Sequence, residues 1–191
     1  MAERTTWQRV AKRIRVPMGF VVAALFLWRA RPTFLTLALS LLLVLPGLWL
    51  RGYAAGYVRK NAEITTSGPY AYTRNPLYLG SMLITLGFGA ASASWLLWGL
   101  LAGLFLAIYL PTIRGEEQYL RAHFAGFDAY AAQVPRLLPR VTPAPASGGS
   151  GAFSRPLYLK HREYQAAIGA SAIYAALLLR LWFEGVHRHQ L

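Results

Sequence analysis

Residues 75–113 read NPLYLGSMLITLGFGAASASWLLWGLLAGLFLAIYLPTI, 39 positions without one charged side chain. A bilayer crossing needs about 20 apolar residues, and one unbroken helix of this stretch would be about 58 Å long. The stretch is therefore a hairpin of two spans, with its turn at Ala91 to Ser94, where small polar residues interrupt strongly apolar flanks. Working outward, Thr33 to Leu50 is uncharged and Leu-rich, and Tyr164 to Phe183 is apolar except for Arg180, whose stem can snorkel toward the interface. Val16 to Trp28 offers only 13 residues between Arg15 and Arg29, so it needs tilt or local thinning to cross. A basic start and a short apolar run also resemble a secretory leader, but no small-residue cleavage site follows and further spans do. The expected fold is all-α: a polytopic membrane protein of about five transmembrane helices.

Composition agrees. Of 191 residues, 55% are hydrophobic and 14% charged, against about 25% charged in soluble domains. The absence of cysteine excludes disulfide frameworks, thiol nucleophiles and Cys-ligated zinc. The net charge of +13 points to an anionic partner, and its distribution identifies which. Sixteen of the 20 Lys and Arg fall before Val16, between Arg51 and Arg74, or between Arg114 and Arg162. Those are alternate connections of the five-span scheme, so the positive-inside rule makes the N-terminus cytoplasmic and puts the C-terminus on the opposite side. Basic residues that follow the crossings, without clustering on one domain or helix, exclude nucleic acid as partner and leave membrane lipids.

Two polar segments then share the cytoplasmic side. The first runs from Ile64 through GPYAYTRNPLYLG to Gly80, and the second from Arg114 through Glu116 and Glu117 to Pro139. Two crossings return the chain to its starting face, so Arg74 and Glu116 meet one interface despite 42 residues of separation. Pro76 biases Asn75 away from helix and opens the next span, which holds Arg74 at a helix entrance. Two readings stand: an interfacial arginine within an aromatic belt of Tyr70, Tyr72 and Tyr78, or a fixed cation that orients a carboxylate or phosphate. Glu116 and Glu117 point about 100° apart on a helix, so only one faces any one ligand. Arg114, Glu117 and Arg121, at i, i+3 and i+7, are also spaced for solvated ion pairs along one helix.

GPYAYTRNPLYLG resembles the signature of the isoprenylcysteine carboxyl methyltransferase and phospholipid methyltransferase group of integral-membrane enzymes, whose usual form has Arg-His-Pro where this chain has Arg74-Asn75-Pro76. EEQYLRAHFAGFDAYAAQVPRLLP is similar to the group's C-terminal motif, with its Glu pair, spaced aromatics, Val-Pro-Arg and closing Pro. The two blocks occur in the group's order and separation and cover about Ile64 to Pro139. The resemblance implies an S-adenosylmethionine-dependent methyltransferase on a helical membrane scaffold, releasing S-adenosylhomocysteine, with its catalytic region at the cytoplasmic face. It further implies catalytic roles for Arg74, Glu117 and Arg136, and cofactor contacts from Tyr70, Asn75, Pro76, Tyr78, Glu116 and Glu117. Gly87 and Gly89 match a Gly-x-Gly implicated in the phospholipid enzymes, while close helix packing is an equal explanation for them and for Gly99 and Gly103. No metal-ligand set is expected, and His187 and His189 read as an exposed tail.

Methyl transfer asks mainly for in-line positioning and exclusion of water. One glutamate would anchor the cofactor's ammonium group and the other pair with arginine; Arg74 and Arg136 would hold an acidic part of the acceptor. Asparagine donates and accepts hydrogen bonds but does not titrate near neutral pH, so Asn75 cannot serve as a base and tilts the acceptor away from a lipid ammonium. The acceptor expected is lipophilic: an isoprenylcysteine-like carboxylate, a lipid headgroup or a small lipophilic molecule. The alternatives are a non-catalytic scaffold or lipid-binding protein that keeps the fold, and a sterol-type reductase using NADPH, which usually needs more spans. The expected organisation is a cytoplasmic segment (1–15), two spans (16–62), the catalytic region with its hairpin (63–140), a Pro-, Ala-, Ser- and Gly-rich flexible linker (141–160), and a last span with a short tail (161–191).

Overall fold

The computed structural model describes residues 19, 21–59, 63–145 and 151–188, and within these every regular element is helical. The helices are α1 (21–29), α2 (Phe34–Ala55), α3 (Pro76–Ala91), α4 (Trp95–His123), α5 (Phe127–Gln133), α6 (Arg155–His161) and α7 (Tyr164–Arg188), with a 3₁₀ turn at Gly68–Ala71. The expected first span begins outside the described residues, as does His189; only its second half is seen, as α1.

Among the described residues three helices are long and apolar enough to cross a membrane: Phe34–Ala55, Trp95–His123 and Tyr164–Glu184. The 16 residues of α3 rise only about 24 Å, short of the roughly 30 Å hydrocarbon core. The hairpin turns where expected. Ser92 Oγ donates to Gly89 O (2.7 Å), Ala93 takes a left-handed φ of 48°, and Ser94 caps α4. Beyond its apolar part, which ends at Ile113, α4 continues unbroken through Glu116 and Glu117, so the acids are carried on the rigid extension of a spanning helix.

Helix α2 is the central post. Thr33 and Thr36 form a capping box at its start, and it packs along α3 while also meeting α6, α7 and the 3₁₀ turn. The α2–α3 contact depends on missing side chains: a Cβ on Gly47 would lie 2.7 Å from Gly80 O, and one on Gly80 2.7 Å from Gly47 O. Lipid tails are as apolar as the helix faces, so such close backbone approach supplies the packing that hydrophobic burial supplies in water. Many large apolar side chains, among them Phe34, Leu42, Trp95 and Leu96, face outward, as a lipid solvent permits. Ser40 on α2 and Tyr174 on α7 share a hydrogen bond inside the bundle (2.6 Å).

At the end bearing the hairpin turn, Arg31 N donates to Ser92 O (2.9 Å) and Arg180 Nη1 to Leu27 O (2.6 Å), tying α7 to the last carbonyls of α1. The other end gathers the close of α2, the opening of α3, the charged end of α4, and α5. The expected linker is narrower than its composition suggests. Ser154 accepts from Leu157 N and Pro156 sits in the first turn, so α6 begins inside 141–160 and ends one residue beyond it. Ser154 N donates to Gly56 O (2.9 Å) and His161 Nδ1 lies 3.1 Å from Ala55 O, which docks α6 on α2.

Candidate active site

The two polar segments are laced together. Arg74 N donates to Pro135 O, Arg140 N to Tyr72 O and Ala144 N to Ala71 O, each at 2.9 Å. Thr73 Oγ1 donates to Leu137 O (3.0 Å), and Tyr130, in a small core with Phe127 and Val134, donates its hydroxyl to Tyr70 O (2.8 Å). Gly68 makes this path possible. It takes a φ of +58° at the start of the 3₁₀ turn, and a Cβ there would lie 2.6 Å from the Tyr57 ring.

This lacing brings Arg74, Glu117 and Arg136 into one cluster. Glu117 is 5% exposed and spends both oxygens on guanidiniums: Oε1 accepts from Arg74 Nε (3.1 Å) and Nη2 (3.0 Å), Oε2 from Arg136 Nε (3.0 Å) and Nη2 (2.7 Å). Arg74 Nη1 donates in addition to Ala131 O (2.7 Å) and Val134 O (2.9 Å). Burial alone would raise the Glu117 carboxyl, but the Arg136 and Arg74 guanidiniums outweigh it and hold the group below the usual range. Glu117 does not pair along its own helix, and Arg121 turns to Asp128 instead (2.7 Å).

The neighbouring acid is placed differently. Glu116 is exposed and its Oε1 accepts from Tyr78 Oη (2.8 Å), whose ring packs edge-on to Tyr109. Tyr70 is buried, yet its hydroxyl has no hydrogen-bond partner among the described residues. Burial pushes this phenol up, and Tyr130 and the charges of Glu116 and Glu163 add to the effect, so Tyr70 stays a neutral donor within their reach. Burial raises Tyr130 too, against the lowering effect of Arg74.

Asn75 is buried at the non-helical entrance of α3, and its Nδ2 donates to Arg136 O (2.9 Å). Pro76 occupies the first helical position, where its missing N–H costs nothing. Gly87 and Gly89 are not part of this cluster. Eleven and thirteen residues further along α3, they admit Val44 and Trp98 respectively, so both serve helix packing. Gly99 and Gly103 face open space.

Sequence reading missed three contributors. Thr73 and Tyr130 lie inside the quoted blocks, but neither residue type announces that its hydroxyl would clasp the other segment. Arg51, on α2, pairs with Glu163 (Nε to Oε2 2.9 Å, Nη2 to Oε2 2.7 Å) and also donates to Leu77 O and Ser81 Oγ on the opening turns of α3. No local spacing signals a pair 112 residues apart.

Residues 34–126 match the phospholipid methyltransferase family. Among curated proteins, the chain is 37% identical over 137 residues to the cobalt-zinc-cadmium resistance protein CzcN of Cupriavidus metallidurans, covering 67% of this chain and 62% of that one. It is 38% identical over 95 residues to the nickel-cobalt-cadmium resistance protein NccN of Alcaligenes xylosoxydans xylosoxydans, covering 50% of this chain and 44% of that one. The chain thus spans less than two thirds of the length of either relative. No solved structure matches. The matched segment contains Arg74, Asn75, Glu116 and Glu117, and over residues 34–126 this chain carries a domain of the phospholipid methyltransferase family.

Proposed function

We propose that the protein transfers a methyl group from S-adenosylmethionine to a lipophilic acceptor at the cytoplasmic membrane face. The observation that carries this reading is the division of labour between the two adjacent acids. Glu117 is consumed by Arg74 and Arg136, while Glu116 stands outward and, among the described residues, its carboxylate accepts from Tyr78 alone. An exposed carboxylate that none of the described guanidiniums occupies, beside two phenols of which one is buried with an uncommitted hydroxyl, fits the charge and hydrogen-bonding groups of the donor's amino-acid end.

In this reading Glu116 binds the donor's ammonium, and Tyr70 and Tyr78 orient it. Arg74, Glu117 and Asn75 hold the 134–137 segment against the opening of α3 and so fix the wall of the site. Arg136, half-exposed despite its bond to Glu117, turns its outer edge to an acidic part of the acceptor. When bound, S-adenosylmethionine supplies an electrophilic methyl on a sulfonium; the chain's task is alignment and exclusion of water. With Asn75 where the related enzymes carry histidine, no titrating base stands there, which favours a carboxylate or other acceptor already deprotonated.

The test is transfer of labelled methyl from S-adenosylmethionine into native membrane lipids by purified protein. Incorporation that falls at least about tenfold in Glu116→Gln supports the reading. The observation that favours a non-catalytic scaffold is the mutual saturation of Arg74 and Glu117. Absence of both cofactor binding and transfer would select it.

A further inference from the structure

On the flank of α2 away from α3 lies an open groove of about 430 Å³ lined by Leu48, Trp49, Gly52, Tyr53, Phe153 and Tyr158. Ser40, Val44, Gly47 and Arg51 make the face of α2 that meets α3, and at 100° per residue the groove residues centre on roughly the opposite side. Its shape is built by glycine. Gly52 leaves the floor open below Tyr158, and Gly56 lets the Phe153 ring lie where a Cβ would be 2.3 Å from it. Trp49, Tyr53 and Phe153 form a ladder of nearly parallel rings, at 5.1 and 6.1 Å with interplanar angles of 13° and 10°. The groove thus straddles the end of an apolar span, with Leu48 and Trp49 before Arg51 and Tyr53 after it.

Beside the groove, Arg155, Lys160 and Arg162 are exposed on and just past α6, and none has an acidic partner among the described residues. Arg155 lies three residues before the groove residue Tyr158, on the same side of the helix. Flat apolar walls at the membrane edge, rimmed by uncompensated cations, are complementary to an amphiphile with an acyl tail and an anionic head.

We propose that this groove binds one anionic phospholipid of the surrounding bilayer, its acyl chain lying along Trp49, Tyr53 and Phe153 and its phosphate met by Arg155 and its basic neighbours. The lipid is held there and not methylated, because the groove opens on the flank of α2 away from α3 and Glu116. The proposal stands independently of the methyl-transfer reading.

Trp49 reports on the site. The protein is reconstituted into phosphatidylcholine vesicles containing either phosphatidylglycerol or further phosphatidylcholine with brominated acyl chains. The Trp49 contribution to fluorescence is taken as the difference from Trp49→Phe. We expect brominated phosphatidylglycerol to quench Trp49 preferentially, with apparent affinity about fivefold lower in Arg155→Gln. Gly52→Leu, which fills the groove and leaves every charge in place, is expected to abolish the preference. Arg155→Gln is a surface change that leaves the fold intact and tests the site should Gly52→Leu misfold. Equal quenching by the two lipids, or a preference unchanged by Gly52→Leu in folded protein, would reduce the groove to ordinary lipid contact and overturn the proposal. Preferential quenching by brominated phosphatidylcholine would assign the groove to a zwitterionic lipid and also overturn it.

Discussion

Glu117 concentrates the residue-scale energetics. It is a buried anion between two guanidiniums, and removing one partner of such a group leaves uncompensated buried charge, at a cost of about 3–5 kcal/mol. Glu117→Gln is therefore expected to lower unfolding stability in detergent by about that amount. Arg136→Ala, at a side chain 49% exposed, is expected to cost about 1 kcal/mol. The same cluster sets an acid dependence. Because the folded carboxyl titrates below the ordinary value of about 4.3, its stabilisation is complete above that value and is lost as pH falls through the depressed one. Thermal midpoints across the acid range should show this loss in the parent and lack it in Glu117→Gln. The pairing of the two segments was legible in the sequence, because a helical hairpin returns the chain to the end of the bundle at which it began. Which glutamate pairs was not legible: a 100° step separates the two directions, but only the path of residues 130–137 decides which direction meets arginine.

At the scale of elements, the α2–α3 contact rests on Gly47 and Gly80, and the exposed face of α4 does not rest on its own glycines. Gly47→Val is expected to destabilise by about 1–3 kcal/mol or more, since the new Cβ meets backbone that cannot move aside. Gly103→Ala meets open space and is expected to be neutral or stabilising by up to about 1 kcal/mol. Thermal unfolding of the two variants side by side checks the contrast. Both kinds of glycine look alike in sequence, because small-residue spacing states that a close approach is possible and not that a partner arrives. The hairpin turn at 91–94 was readable because small polar residues between apolar flanks have one cheap explanation. The docking of α6 was not, because Pro, Ala, Ser and Gly dominate the composition around it and mask the local cap at Ser154.

For the whole molecule, the family match ends at residue 126, while Arg136, α6 and α7 lie beyond it and still hold the matched helices, through Glu117, the Ala55 carbonyl and Ser40 respectively. The chain therefore acts as one mechanical unit, larger than its recognised segment. The orientation expected from its charge asymmetry is open to direct measurement, since the chain has no cysteine of its own. With a membrane-impermeant maleimide, Ala93→Cys in the hairpin turn is expected to label from outside intact cells. Arg114→Cys, at the charged end of α4, is expected to label only in inverted vesicles. The most direct test of the central claim is calorimetric titration of the purified protein with S-adenosylhomocysteine. The account expects micromolar-range binding by the parent and at least about tenfold weaker binding by Glu116→Gln at unchanged thermal stability, the loss of one charge-assisted anchor. Parent protein that binds no S-adenosylhomocysteine, or Glu116→Gln that binds it as well as the parent, would contradict it.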